Sequence, residues 1–129
     1  MSVPEIWVIE DDHTMNALLS HLVQHWGYRP VSLTDGEEAR LAIQTAQSTT
    51  APALVLLDLM LPRCDGFTLL DSLRQQPACQ HTPVVVITSR GGELDHGRAL
   101  QLGANDYVTK PFNPECLRLR VAQLLGESA

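Results

Sequence analysis

Residues 54–58 read Leu-Val-Leu-Leu-Asp, and the rest of the chain can be organised around them. Leu54-Val55-Leu56-Leu57 shows no alternation of apolar and polar residues, which is what a central parallel strand covered on both faces requires. The run stops at a carboxylate, Asp58. Val84-Val85-Val86-Ile87 has the same character and runs into Thr88-Ser89. Ile6-Trp7-Val8-Ile9 reads as a third strand and runs into Glu10-Asp11-Asp12. A second strand in chain order, at roughly 28–33, contains Pro30, which lacks a ladder donor and belongs at a sheet edge. A short strand at 105–108 leads to Lys110-Pro111.

Amphipathic stretches separate these runs. Met15, Leu18, Leu19, Leu22, Val23 and Trp26 recur at helical spacing and predict a helix over 14–26. Asp35 is placed to cap a helix that reaches about Gln47, with Ala39, Ala42, Ile43 and Ala46 on its inner face. A third helix, from Gly66 to Gln76, uses Phe67, Leu69, Leu70 and Leu73, and Pro77 stops it. A thinner stripe of Leu94, Ala99 and Leu102 predicts a helix over 93–102, loosened by Gly91-Gly92 and Gly97 and closed by Gly103. Asn113 caps the last helix, which runs to Leu125. The order βαβαβαβαβα predicts an α/β protein with a doubly wound parallel sheet. The whole chain, 1–129 with a core at about 5–126, is expected to form one domain.

Composition excludes several classes. The chain has 129 residues, 44% of them hydrophobic, and a net charge of −6. That is a globular balance, and a surface of this sign does not grip a phosphate backbone, so no nucleic-acid binding is expected of this segment. Cys64, Cys79 and Cys116 are widely spaced and odd in number, against a disulfide framework and in favour of a reducing, cytoplasmic setting. No apolar run is long enough for membrane insertion.

In an open parallel sheet the ligand crevice lies beyond the carboxyl ends of the strands. Four groups meet there: Glu10-Asp11-Asp12, Asp58, Thr88-Ser89 and Lys110. Converging carboxylates repel, and such a cluster persists when a cation occupies it. Mg²⁺ suits the oxygen donors and retains waters that a phosphate oxygen can displace. Ca²⁺ is disfavoured because no D-x-[DN]-x-[DN]-G loop is present. Lys110 can pair with Asp58 at rest and with a phosphoryl oxygen later, and Thr88 offers a hydroxyl to the same oxygens. A carboxylate nucleophile, a cation, a lysine and a hydroxyl make a phosphoryl-acceptor site.

The residues Ile9-Glu10-Asp11-Asp12, the segment from Asp58 to Gly66, Thr88-Ser89 and Tyr107-Val108-Thr109-Lys110-Pro111-Phe112 resemble the receiver domains of two-component response regulators, over essentially the whole chain. The resemblance implies a flavodoxin-like (βα)5 fold with strand order 2-1-3-4-5. It implies that Asp58 is the phosphoacceptor and that Glu10, Asp11, Asp58 and the backbone carbonyl of Met60 hold Mg²⁺. Thr88 and Tyr107 become the switch pair, and Lys110 the phosphate-binding lysine, with a cis Lys110-Pro111 bond. Met60 and Arg90 fall at positions that tune phosphate lifetime, and Asp12 is left over as a helix cap. The implied donor is a histidine kinase or a histidine phosphotransfer protein. The implied output surface is the face of the fourth helix, fifth strand and fifth helix, for a downstream protein, an output domain or a second copy.

Competing readings fit less well. A phosphatase of the haloacid dehalogenase type needs a second aspartate where Met60 stands. A nucleotide or flavin carrier needs a glycine-rich loop after the first strand, where this chain has acids. A scaffold with a degenerate site would not retain the full acceptor set. His21 and His25, four apart, read as a solvated helix face rather than a metal site. Trp7, Trp26 and Phe112 read as packing.

Overall fold

The computed structural model describes residues 3–61, 64–89 and 93–126, without the side chains of residues 93 and 94. Arg90, Gly91 and Gly92 therefore lie outside the described residues, as does the side chain of Leu94. The five sheet strands are β1 (Glu5–Ile9), β2 (Arg29–Leu33), β3 (Leu54–Leu57), β6 (Val84–Thr88) and β7 (Asp106–Thr109). They are parallel and ordered β2-β1-β3-β6-β7, the expected 2-1-3-4-5 arrangement. Pro30 sits on the edge strand β2. A two-stranded antiparallel hairpin, β4 (Met60–Leu61) and β5 (Cys64–Asp65), follows β3 and was not foreseen.

The helices are α1 (His13–His25), α2 (Gly36–Thr45), α3 (Gly66–Gln75), α4 (Glu93–Gln101) and α5 (Pro114–Leu124). The starts of α1, α2, α3 and α5 are set by side chains that accept from first-turn amides: Asp12 from Met15, Asp35 from Glu38, Asp65 from Phe67, and Asn113 from Glu115 and Cys116. Each such cap contributes about 1 kcal/mol.

Alternate residues of the central strands feed two cores. Trp7, Ile9, Val55, Leu57, Val84 and Val86 pack beneath α2, α3 and Ala99 of α4. Ile6, Val8, Leu54, Leu56, Val85 and Ile87 pack beneath Leu19 and Val23 of α1 and Leu117 and Val121 of α5. Burial on both faces explains why β3 and β6 lack alternation. Leu18 departs from its predicted stripe: it is exposed, because the buried part of α1 is limited to Asn16, Leu19 and Val23.

Arg74 ties the end of the sheet remote from the strand carboxyl termini, and no periodicity singles it out. Its Nη1 donates to the carbonyls of Cys79 (3.1 Å), Gln80 (3.3 Å) and Thr82 (2.7 Å). Its Nε and Nη2 donate to the Gly103 carbonyl at 3.1 and 2.7 Å, and Nη2 reaches Asn105 Oδ1 at 3.1 Å. Gly103 adopts φ +103°, and a Cβ there would lie 2.7 Å from Arg74 Nε. One guanidinium thus closes the turn after α4 onto the end of α3. Arg74→Met should lower unfolding free energy by about 2–4 kcal/mol, since several charge-assisted bonds are lost together. Urea denaturation checks this, and a loss below about 0.5 kcal/mol would mean that water replaces the guanidinium at these carbonyls.

Candidate phosphoacceptor site

The carboxyl ends of β1, β3, β6 and β7 converge. Glu10 follows β1 and is 1% exposed, Asp58 follows β3 and is 6% exposed, and Thr88 closes β6 and is fully buried. Carboxylate oxygens of Glu10, Asp11 and Asp58 lie within 4.8 Å of one another. Backbone bonds between strands set this spacing. The Asp58 amide donates to the Ile9 carbonyl (3.0 Å), the Glu10 amide to the Leu33 carbonyl (3.1 Å) and the Lys110 amide to the Thr88 carbonyl (2.9 Å). The sheet thereby carries each side chain to the crevice at a defined height.

Lys110 brings the balancing charge. Its Nζ pairs with Asp58 Oδ2 at 3.1 Å and also with Glu10 Oε1. The bond to Asp58 was expected, whereas the bond to Glu10 was not. With three carboxylates and one ammonium, the cluster is electrostatically incomplete. Burial pushes the Glu10 carboxyl from its usual 4.5 up to about 7; Lys110 opposes the shift and Asp58 adds to it. Burial lowers the Lys110 ammonium's pKa, but the bonds and charges of Glu10 and Asp58 outweigh it and hold the pKa above the ordinary lysine value.

The hairpin completes the crevice. The Met60 amide donates to Asp58 Oδ1 at 3.0 Å, so Asp58 accepts from backbone on one oxygen and from lysine on the other. The Met60 side chain is exposed and its sulfur lies 3.6 Å from Ser89 Oγ. Gly66 lets the hairpin fold back, its amide bonding the Leu59 carbonyl at 3.1 Å. A Cβ on Gly66 would lie 2.4 Å from Leu59 Cα and 2.8 Å from the Asp58 carbonyl. The Lys110-Pro111 bond is cis, as expected.

Tyr107 lies on β7, half-buried, with its ring stacked on His96 of α4 at 4.7 Å between centroids. His96 attracted no notice in the sequence, since stacking across two elements leaves no periodic signal. His21 and His25 are exposed, with rings stacked on each other 6.5 Å apart. They lie on the predicted solvated face. Cys79 is buried, Cys64 half-buried and Cys116 exposed.

Comparison with known proteins agrees with this geometry. The family model for the response regulator receiver domain matches residues 6–122. The transcriptional regulatory protein CssR of Bacillus subtilis is 38% identical over 120 residues, covering 93% of this chain and 50% of CssR. The chain thus spans about half the length of such curated relatives. The receiver domain of the sensor histidine kinase PA1611 from Pseudomonas aeruginosa, solved with a magnesium ion coordinated in its active-site cleft, superposes with a TM-score of 0.84 at 25% identity. That match covers 98% of this chain and all of that domain. The BeF3-activated DrrB receiver domain gives a TM-score of 0.83 at 28% identity, over 98% of this chain and all of that one. The chain belongs to the response regulator receiver domain family. It is a phosphoacceptor signalling domain of the two-component type, used once per phosphoryl group rather than as a multiple-turnover enzyme.

The Glu10 shift gives a stability signature for the metal-free protein. Between pH 4.5 and about 7 the folded state holds a proton that the unfolded chain has released, so stability falls as pH rises through that window. Glu10→Gln should match the wild type near pH 4.5 and exceed it at pH 8, by on the order of 1–2 kcal/mol once solvent screening is allowed for. Urea midpoints in chelator decide it, and parallel pH profiles for the two proteins would refute it.

Proposed function

We propose that Asp58 is the phosphoacceptor of a single receiver domain formed by residues 1–129, and that Mg²⁺ binds at Glu10, Asp11, Asp58 and the Met60 carbonyl. The observation that carries the reading is the convergence of three carboxylates within 4.8 Å around one lysine. Their surplus negative charge fits a divalent cation. When bound, Mg²⁺ supplies positive charge opposite the phosphoryl oxygens. Asp58 is oriented for attack by the Met60 amide on one oxygen and Lys110 on the other. An Asp58 oxygen bonds to phosphorus as the P–N bond of a phosphohistidine donor breaks, and the imidazole leaves. Lys110 then pairs with a phosphoryl oxygen, and the Thr88 hydroxyl takes another. Met60 places a thioether, with no proton to exchange, two residues beyond Asp58. That supports slow hydrolysis, with Arg90 as the second lifetime-tuning residue.

The output follows from Thr88. Movement of its hydroxyl toward Asp58 opens space behind it, and Tyr107 rotates to fill that space. The responding surface is α4, β7 and α5, which docks a downstream protein or output domain, or a second phosphorylated copy. The net charge of −6 supports a protein partner over nucleic acid for this segment. No helix among the described residues is long and apolar enough to cross a membrane, which supports a cytoplasmic setting.

Two measurements test this reading. Intact mass after treatment with a small phosphodonor and Mg²⁺ should rise by one phosphoryl group in the wild type and stay unchanged in Asp58→Asn. Equal gains would move the acceptor elsewhere. Beryllofluoride with Mg²⁺ should shift amide resonances around Tyr107 and along α4. Thr88→Ala should still take phosphate but lose most of these remote shifts; wild-type shifts in that variant would sever the proposed coupling.

A further inference from the structure

Asn16 is the fourth residue of α1, inside the helix, where asparagine is a weak helix former, and is 2% exposed. A buried amide is tolerated when both its ends are satisfied. Its Nδ2 faces three carbonyls: Glu10 at 3.0 Å, Val8 at 3.2 Å and Leu33 at 3.4 Å. Its Oδ1 accepts from Ser32 Oγ at 2.5 Å and from Ser20 Oγ at 3.2 Å. Carbonyls on one side and hydroxyls on the other leave a single sensible orientation for the amide.

The position of these bonds matters more than their number. The β1–β2 register ends at Ile9 opposite Leu33. The peptide between Ile9 and Glu10 is held on both sides by the sheet, through Asp58 and Leu33. The next peptide joins Glu10 to Asp11, and its carbonyl lies one residue past the ladder. Asn16 takes that carbonyl, so a side-chain amide supplies the rung that β2 does not. The plane of this peptide sets how the Glu10 and Asp11 side chains diverge.

We infer that Asn16 is a positioning residue for the cation site, clamping the Glu10–Asp11 peptide so that both carboxylates face Asp58. The inference rests on the Mg²⁺ reading above. The remaining cation-site residues, Asp58 and Met60, lie in the segment after β3, so the clamp acts on affinity and not on the identity of the acceptor. Partners behind metal ligands typically govern affinity by 10–100-fold.

Asn16→Leu keeps the volume and removes both donors. Calorimetric titration should show Mg²⁺ binding weakened about 10–100-fold. The Mg²⁺ concentration for half-maximal phosphorylation should rise in parallel, while the rate at saturating Mg²⁺ stays near wild type. The Asp11 and Asp12 amide resonances should move in the metal-free protein. Leu19→Ala, which removes a neighbouring buried side chain of α1, should lower stability and leave Mg²⁺ affinity unchanged. If the leucine variant does not fold, Asn16→Ala is read in the same way. Unchanged affinity in a folded Asn16 variant, or an equal loss in Leu19→Ala, would overturn the clamp while the site reading stands. A wild type that bound no Mg²⁺ would overturn both.

Discussion

One ammonium among three carboxylates is the constraint around which the molecule is arranged. Lys110 bonds Asp58 and Glu10 at once, across gaps of 52 and 100 residues. Like charges this close repel strongly in a half-dry crevice, and one lysine cannot neutralise them. The folded state therefore carries an unfavourable term at this site, and burial first, with Asp58 adding to it, holds the Glu10 pKa above its ordinary value.

The scaffold tolerates the strain because the cluster sits at the end of a rigid platform. The cores on both faces of the sheet are continuous beneath it. Strand-to-strand amide bonds locate Glu10, Asp58 and Lys110 relative to each other. The parts that the sheet leaves loose are held individually. Gly66 lets the 58–61 segment turn back, and Asn16 holds the peptide beyond the β1 end. At the opposite end, Arg74 fastens the turn after α4 to α3. The helix is thus tied at its carboxyl end, while its His96 stacks on Tyr107.

The resemblance to CssR and to the receiver domain of PA1611 places this arrangement in a family, and the chain's own geometry explains how it works here. Glu10 is both a candidate cation ligand and a lysine partner, so cation binding and Lys110 position are linked. Under the proposed roles, a cation held by Glu10 would leave the Lys110 ammonium to pair with Asp58 and a phosphoryl group on it. A single pair of bonds would in that case connect loading of the site with recognition of the product.

Strand ends and helix faces were legible because they are local. Non-alternating runs at 54–57 and 84–87 announce buried parallel strands, and the polar residues that follow them fall at one edge by topology alone. Glu10, Asp11, Asp58, Thr88 and Lys110 could be read in this way, as could the caps Asp12, Asp35 and Asn113. The rest depended on contacts between elements. Asn16, Arg74 and His96 are unremarkable in sequence, and Leu18 fits a stripe that the neighbouring elements do not cover. The hairpin after β3 has two-residue strands, too short for any period to appear. The second bond of Lys110, to Glu10, joins residues 100 apart. Periodicity and composition report what each segment buries, whereas a hydrogen bond between distant segments exists only once the chain has closed around it.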